Sequence, residues 1–200
     1  RRYHQTMTSG PSHPWRAIAY AALLACALVA RRPPRATTSQ TQTPTPKPDV
    51  IWIPSDDAVV TAMLTLAKVT KTDVVYDLGC GDGRLLLAAA KRCGARAGGG
   101  EIDPDLVKKA RAEVAKAGVA DRVTVIEGNI FDPAIKIGDA TVVTLFLLES
   151  LNQRLREGRL QTDLKPGTRI VSNAFTMGQR WPPDKSQSVG NSTIYLWTMK

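Results

Sequence analysis

Between residues 50 and 200 the spacing of apolar positions changes period repeatedly, and each change predicts an element. Ser55 ahead of Asp56 and Asp57 reads as a helix N-cap with acids in the first turn, and Val59, Val60, Met63, Leu64 and Ala67 keep helical spacing. Asp73–Asp77 is a short apolar strand that runs into glycines, and Arg84–Cys93 follows as a helix. Ala97–Glu101 predicts a second strand and Pro104–Ala117 a helix with proline in its first turn. Val123–Glu127 alternates as a third strand, and Ala140–Phe146 is a β-branched run for a fourth. Glu149–Leu164 predicts a helix and Arg169–Ser172 a fifth strand. Lys185–Val189 and Thr193–Thr198 about Gly190-Asn191 read as an antiparallel hairpin. This alternation predicts an α/β fold with a doubly wound, mainly parallel sheet of seven strands, closed by the hairpin.

The first forty-nine residues have a different texture. Arg1, Arg2 and Arg16 precede the unbroken apolar run Ala17–Ala30, and Arg31, Arg32 and Arg35 follow it. Its 14 residues would reach about 21 Å as a helix, against a hydrocarbon core of roughly 30 Å, so a short anchor or signal region suits it better than a full span. Residues 1–35 are therefore expected to be a signal- or anchor-like segment, residues 36–49 a Thr/Pro-rich linker and residues 50–200 the folded domain. Membrane association through residues 17–30 is the expectation. The alternatives are an exported lipoprotein lipidated at Cys26, an organelle-targeted protein, and a cytoplasmic one in which the run is a buried helix. Met7 is a candidate start.

Charge then has to be placed along the chain. The net +9 divides into seven Lys/Arg and one acid in residues 1–50, a balance of +6, and twenty Lys/Arg and seventeen acids in residues 51–200, a balance of +3. The basic excess sits mostly outside the domain, which disfavours nucleic acid as a partner. Both histidines, His4 and His13, precede the domain, so histidine base catalysis in the core is excluded. The 3 cysteines show no C-x-x-C spacing, so neither a disulfide framework nor a metal site is expected. Cys80 and Cys93 flank a helix roughly 15 Å long, too far apart to pair.

The sharpest chemistry lies at Asp77-Leu78-Gly79-Cys80-Gly81-Asp82-Gly83, between a strand and a helix. Glycines there permit positive φ and close approach of a ligand to the backbone. A dinucleotide loop offers bare N–H groups to a pyrophosphate; Asp77 and Asp82 would repel one. They suit a ligand carrying an ammonium and a sulfonium, and S-adenosyl-L-methionine is such a ligand. Glu101, eighteen residues beyond Gly83 at the end of the second strand, can accept both ribose hydroxyls. Asn129, after the third strand, places an amide at the adenine edge, with Ile102 and Ile130 beside these two. Alone, Glu101 reads as a solvated acid and Asn129 as a turn residue; their spacing after this loop favours the ligand reading. The cofactor-binding candidates are thus Asp77, Gly79, Cys80, Gly81, Gly83, Glu101, Ile102, Asn129 and Ile130.

Over residues 50–200 the chain resembles the class I, seven-strand S-adenosylmethionine-dependent methyltransferases, whose D-x-G-x-G-x-G motif Asp77–Gly83 matches. A closer likeness is to the small archaeal protein-lysine methyltransferases and their bacterial and mitochondrial relatives. It is carried by Trp52-Ile53-Pro54-Ser55, Val74–Arg84, Asp139–Leu148, Leu164–Ser172 and Thr193–Trp197. The resemblance implies a protein substrate with an accessible lysine, and a monomer is expected. This chain departs from the family at Ala97-Gly98-Gly99-Gly100, where branched residues are usual, so that edge of the site is expected to be loose. It also departs at Trp52, where relatives tend to have tyrosine, and near Asn173-Ala174, where they have a histidine with an acid.

Methyl transfer from a sulfonium demands alignment and desolvation more than acid–base chemistry. An apolar mouth that lowers the lysine pKa would help. Trp52, Phe146, Phe175 and Trp181 are candidates for that mouth, with Leu147 beside them; core or loop packing is the alternative for each. Asn173 and Asn152 are candidates for meeting an ammonium, with capping or surface roles as the alternative. No Asn-Pro-Pro-aromatic motif follows the fourth strand and no insertion is long enough for a lid. A small-molecule or nucleic-acid methyltransferase, or a cofactor-binding module without turnover, stands as the alternative to a protein-lysine methyltransferase.

Overall fold

The computed structural model describes residues 52–200. Their elements, in chain order, are α1 (Asp57–Leu66), β1 (Val74–Leu78), α2 (Arg84–Cys93), β2 (Arg96–Glu101), α3 (Pro104–Lys116), β3 (Val123–Glu127) and β4 (Val142–Leu145). Then follow α4 (Glu149–Leu155), a π-helical stretch (Arg156–Leu160), a short α5 (Gln161–Asp163), β5 (Arg169–Asn173), β6 (Lys185–Val189) and β7 (Ser192–Thr198). The seven strands form one sheet in the order β3-β2-β1-β4-β5-β7-β6. The first five are parallel; β7 runs antiparallel to both β5 and β6. The sheet is the doubly wound one expected, and its strand order reverses at β1, between β2 and β4. Ligands of open α/β sheets bind at that switch point.

Burial explains why the central strands β1 and β4 read as nearly unbroken apolar runs, since helices cover both faces there. One core joins α1, α2 and α3 to the sheet through Val60, Met63, Leu86, Val107, Ala110 and Val75. The other joins α4 and the π-helical stretch to the opposite face through Leu78, Val143, Leu155, Leu160 and Trp197. Helix α3 begins where its chemistry dictates: Asp103 accepts from the Asp105 and Leu106 amides, and Pro104 needs no partner for an N–H it lacks.

Three local expectations change. Asp56, not Ser55, occupies the cap position of α1, with extended backbone and no side-chain cap bond. Ser55 instead turns to the site, its carbonyl accepting from Arg84 at 2.7 Å and its hydroxyl from Asn173 at 3.4 Å. The helix expected over 149–164 is broken by the π-helical stretch, which turns both Arg156 and Arg159 inward. The glycine strand is not loose. A Cβ on Gly98 would meet the Tyr76 ring at 2.9 Å, and one on Gly99 would meet Cys80 Sγ and Leu86 Cδ1 at 2.7 Å. The side chains of Tyr76, Cys80 and Leu86 fill the space, and β2 is buried from Ala97 to Glu101.

Membrane association is not upheld. Among the described residues no helix is long and apolar enough to cross a membrane. The segment 17–30, the linker and the boundary at residues 49 and 50 lie outside the described residues.

Candidate active site

A cavity of about 520 Å³ opens at the C-terminal ends of β1 to β5, with the segment before α1 along one side. Its volume falls within the range of small-molecule and cofactor sites. The glycine loop forms its floor. Gly79 adopts φ +86°, a backbone conformation that side chains resist, and lines the cavity. Gly81 and Gly83 do not line it. The Gly81 amide donates to Glu101 Oε2 at 2.8 Å, and Trp52 packs where a Cβ on Gly81 would stand. Gly83 lets α2 meet α3, since its Cβ would lie 3.1 Å from that of Ala110.

Three carboxylates meet here, and their surroundings separate them. Asp77 is buried beneath the cavity and accepts from the Thr144 hydroxyl at 2.8 Å. Burial raises its carboxyl to about 7; Thr144 opposes this, while Glu101 and Asp82 add to it. Glu101 accepts from three backbone amides, Gly81, Ile102 and Asp103, at 2.8 to 3.0 Å. Asp82, expected to greet a cationic ligand, is already paired with Arg84 at 2.9 Å and Lys109 at 3.4 Å. These partners hold it below the usual carboxylate range, although its burial works in the opposite direction. Cys80 lines the cavity as a neutral thiol, its pKa pushed up by burial and by the neighbouring acids.

The opposite wall is apolar. Phe146 and Phe175 stack with centroids 6.4 Å apart, and both line the cavity with Leu147. Phe175 is aimed by a tight turn: Ala174 takes φ +63°, and the Phe175 amide donates to the Asn173 carbonyl at 2.8 Å. Trp52 lies over the glycine loop, with Lys109 Nζ 5.2 Å from its ring centroid. Ile102, Asn129 and Ile130 line the cavity at the ends of β2 and β3. Asn129 Oδ1 accepts from the Phe131 amide at 3.0 Å, which turns the chain there.

Two acceptor-side candidates fall elsewhere. Trp181 packs on Trp197, its carbonyl accepting from the Trp197 indole at 2.8 Å, and does not line the cavity. Asn173 is buried between Ser55 and Ser192 and does not line the cavity; it pins the segment before α1 to the sheet. Sequence reasoning missed the α1 face, where Val60 and Met63 reach the cavity, and Phe131, which lies under Arg154 at 3.8 Å. It also missed Arg159, which bonds the Ile130 carbonyl at 2.8 Å and so holds the loop after β3. Only the i, i+4 pairing of Arg159 with Asp163 is visible as a sequence pattern.

Residues 77–185 match the model of the ANTKMT methyltransferase domain. The protein-lysine N-methyltransferase of Saccharolobus islandicus (strain REY15A) is 41% identical over 157 residues, covering 76% of this chain and 95% of that protein. The chain belongs to this methyltransferase family. A solved structure of similar fold, that of an RNA methyltransferase from Salinibacter ruber in complex with S-adenosyl-L-homocysteine, is 51% identical to this methyltransferase. It covers 74% of this chain and 94% of its own, with a TM-score of 0.70. The mouse adenine nucleotide translocase lysine N-methyltransferase is 38% identical over 124 residues, 62% of this chain but 51% of that protein, so the methyltransferase spans about half of that relative.

As a class I methyltransferase it uses S-adenosyl-L-methionine, and the residues present fit that group. Asp77 is a buried carboxylate that wants a cation, because burial opposes its charge and no basic side chain pairs with it among the described residues. Gly79 leaves room where a side chain would intrude, and Glu101 retains an acceptor position beyond its three amide bonds.

Proposed function

We propose that this methyltransferase modifies lysine side chains of a protein, as the names of its Saccharolobus islandicus and mouse relatives state for those proteins. One observation carries the reading. The exposed large hydrophobic residues among those described, Trp52 (38% exposed), Ile53 (64%) and Leu148 (44%), all line the mouth of this cavity. An apolar rim around a site entrance marks a surface that docks another macromolecule.

When bound, S-adenosyl-L-methionine supplies a methyl group on a positively charged sulfur. Asp77 would meet its ammonium and Glu101 its ribose hydroxyls. The chain's remaining work is to align an amine and keep water away. Phe146, Phe175 and Leu147 form a dry wall against which a lysine ammonium is disfavoured, so the amine enters in its reactive, neutral form. Both histidines precede the described residues, and an amine that arrives neutral requires no base.

Methylation of RNA is the second reading, supported by the likeness to the Salinibacter ruber RNA methyltransferase. The +3 balance of residues 51–200 and the apolar rim favour protein. Incubating the full chain with methyl-labelled cofactor and separate total-protein and total-RNA fractions decides between them. Label recovered as methyl-lysine after hydrolysis is expected. Label in RNA alone would replace the reading, and cofactor binding without label in either fraction would leave a binding module.

A further inference from the structure

Helix α4 and the π-helical stretch carry one polar stripe, Glu149, Asn152, Gln153 and Arg156, at the i, i+3, i+4, i+7 spacing of a single face. Each member grips the loop that follows β5. Thr176 donates its hydroxyl to the Glu149 carboxylate. Asn152 Nδ2 lies 3.3 Å from the Phe175 carbonyl and 3.2 Å from that of Thr176. The Gln153 amide fills the place of a Cβ on Gly178, and Arg156 Nη1 donates to the Met177 carbonyl at 3.2 Å. The loop held in this way is the one that carries Phe175 into the cavity.

Glu149 stands apart within the stripe. It is exposed, and its side-chain partners are neutral: the Thr176 hydroxyl and Gln153 Nε2 at 3.3 Å. Among the described residues no Lys or Arg pairs with it. The carboxylates that line the cavity are committed elsewhere. Asp82 is held by Arg84 and Lys109, Glu101 by backbone amides, and Asp103 by the start of α3, while Asp77 is buried. Glu149 does not itself line the cavity, but it directly follows the rim residue Leu148 and carries a charge that no basic side chain among the described residues neutralises. It sits between Leu148 and, through Thr176, Phe175, both of which line the cavity.

We propose that Glu149 is a specificity residue that captures the protonated ammonium of the acceptor lysine at the cavity mouth, an inference that rests on the lysine reading above. A lysine is an apolar stem with a charged head. Leu148 and Phe175 offer the stem its surface, and the fixed carboxylate offers the head its counter-charge.

Steady-state kinetics of the full chain with labelled S-adenosyl-L-methionine and a synthetic peptide bearing one lysine among leucines and alanines test this. Glu149→Gln keeps an acceptor for the Thr176 hydroxyl and removes only the charge. It should raise the peptide KM about 3–5-fold, with kcat within about twofold and cofactor affinity unaltered. The increase of KM with salt in the wild type should flatten in this variant. A wild-type KM and salt response in Glu149→Gln would overturn the capture role and leave the lysine reading standing. A fall in kcat at unchanged KM would make the residue a clamp only, and would overturn it too. A wild type that binds cofactor yet never labels the peptide or any protein lysine would remove the lysine reading, and this inference with it.

Discussion

On the β1–β3 side of the cavity, the polar groups are the amides of a short glycine loop and two strand-end carboxylates, Glu101 accepting from the Gly81 amide and Asp77 from the Thr144 hydroxyl. On the β4–β5 side, the loop bearing Phe175 bends through the positive φ of a non-glycine residue, Ala174, and is held by side chains of α4. Conformation secured by glycine is inexpensive and local. Conformation secured by side chains from another element persists only where the surroundings over-determine it. The side proposed for the cofactor is thus a pre-formed cradle, and the side proposed for the acceptor a strained loop under a four-residue clamp. Such a division lets one side stay constant while the other is altered by changing the clamp.

The largest blow to the contrast would come from filling the glycine strand. Gly99→Val should collide with Cys80 and Leu86, which leave no room for a Cβ. Overpacking of this kind costs about 1–3 kcal/mol, so a melting temperature lower by about 3–10 °C is expected in a thermal scan. An unchanged transition would show the cradle to be softer than its packing implies.

A smaller effect, confined to the cofactor, is expected from Asp77→Asn: a loss of about 10–100-fold in S-adenosyl-L-methionine affinity by calorimetry, at near-normal stability. The carboxyl stands at about 7 in the free fold, raised by burial from 3.8. Its protonated form is thus favoured on folding, a contribution present below about pH 4 and lost as pH rises through about 7. A cationic ligand reverses that preference. Wild-type affinity should therefore weaken by up to about tenfold per pH unit below 7 and level off above it, whereas Asp77→Asn should be flat. A wild type without this slope would mean that Asp77 does not meet the cation.

The gentlest test acts on the clamp alone. Asn152→Ala removes the donor that holds the Phe175 and Thr176 carbonyls, and should lower kcat/KM for the acceptor about 3–10-fold while cofactor affinity stays put. Equal losses on both sides of the cavity would dissolve the distinction between them.

These two regions were not equally legible beforehand. Arg84–Cys93 and Val123–Glu127 match their expected limits to the residue. Periodicity, a Pro at a helix start and a Gly-Asn pair at a turn are local signals. That Asp77, Gly79 and Glu101 line one cavity was legible for the same reason: residue type and spacing over one strand–loop–helix–strand unit state the geometry. Trp181 and Asn173 do not line the cavity, because an aromatic in a loop or an amide at a strand end can face either way, and only packing against Trp197 and Ser55 chooses. Asp82 misled because its charge was visible while its partner Lys109, on another helix, was not.

What the sequence by itself determined was the order of strands and helices, the glycine cradle and the absence of a histidine in the domain. Each depends on backbone preference or residue type over a few neighbouring positions. Which carboxylate remains free, how a triple-glycine strand becomes tightly packed, and which helix face grips the loop bearing Phe175 were decided by tertiary structure. Charge pairing, volume filling and hydrogen bonding join residues far apart in the chain, and these acquire partners only once the sheet has brought them together.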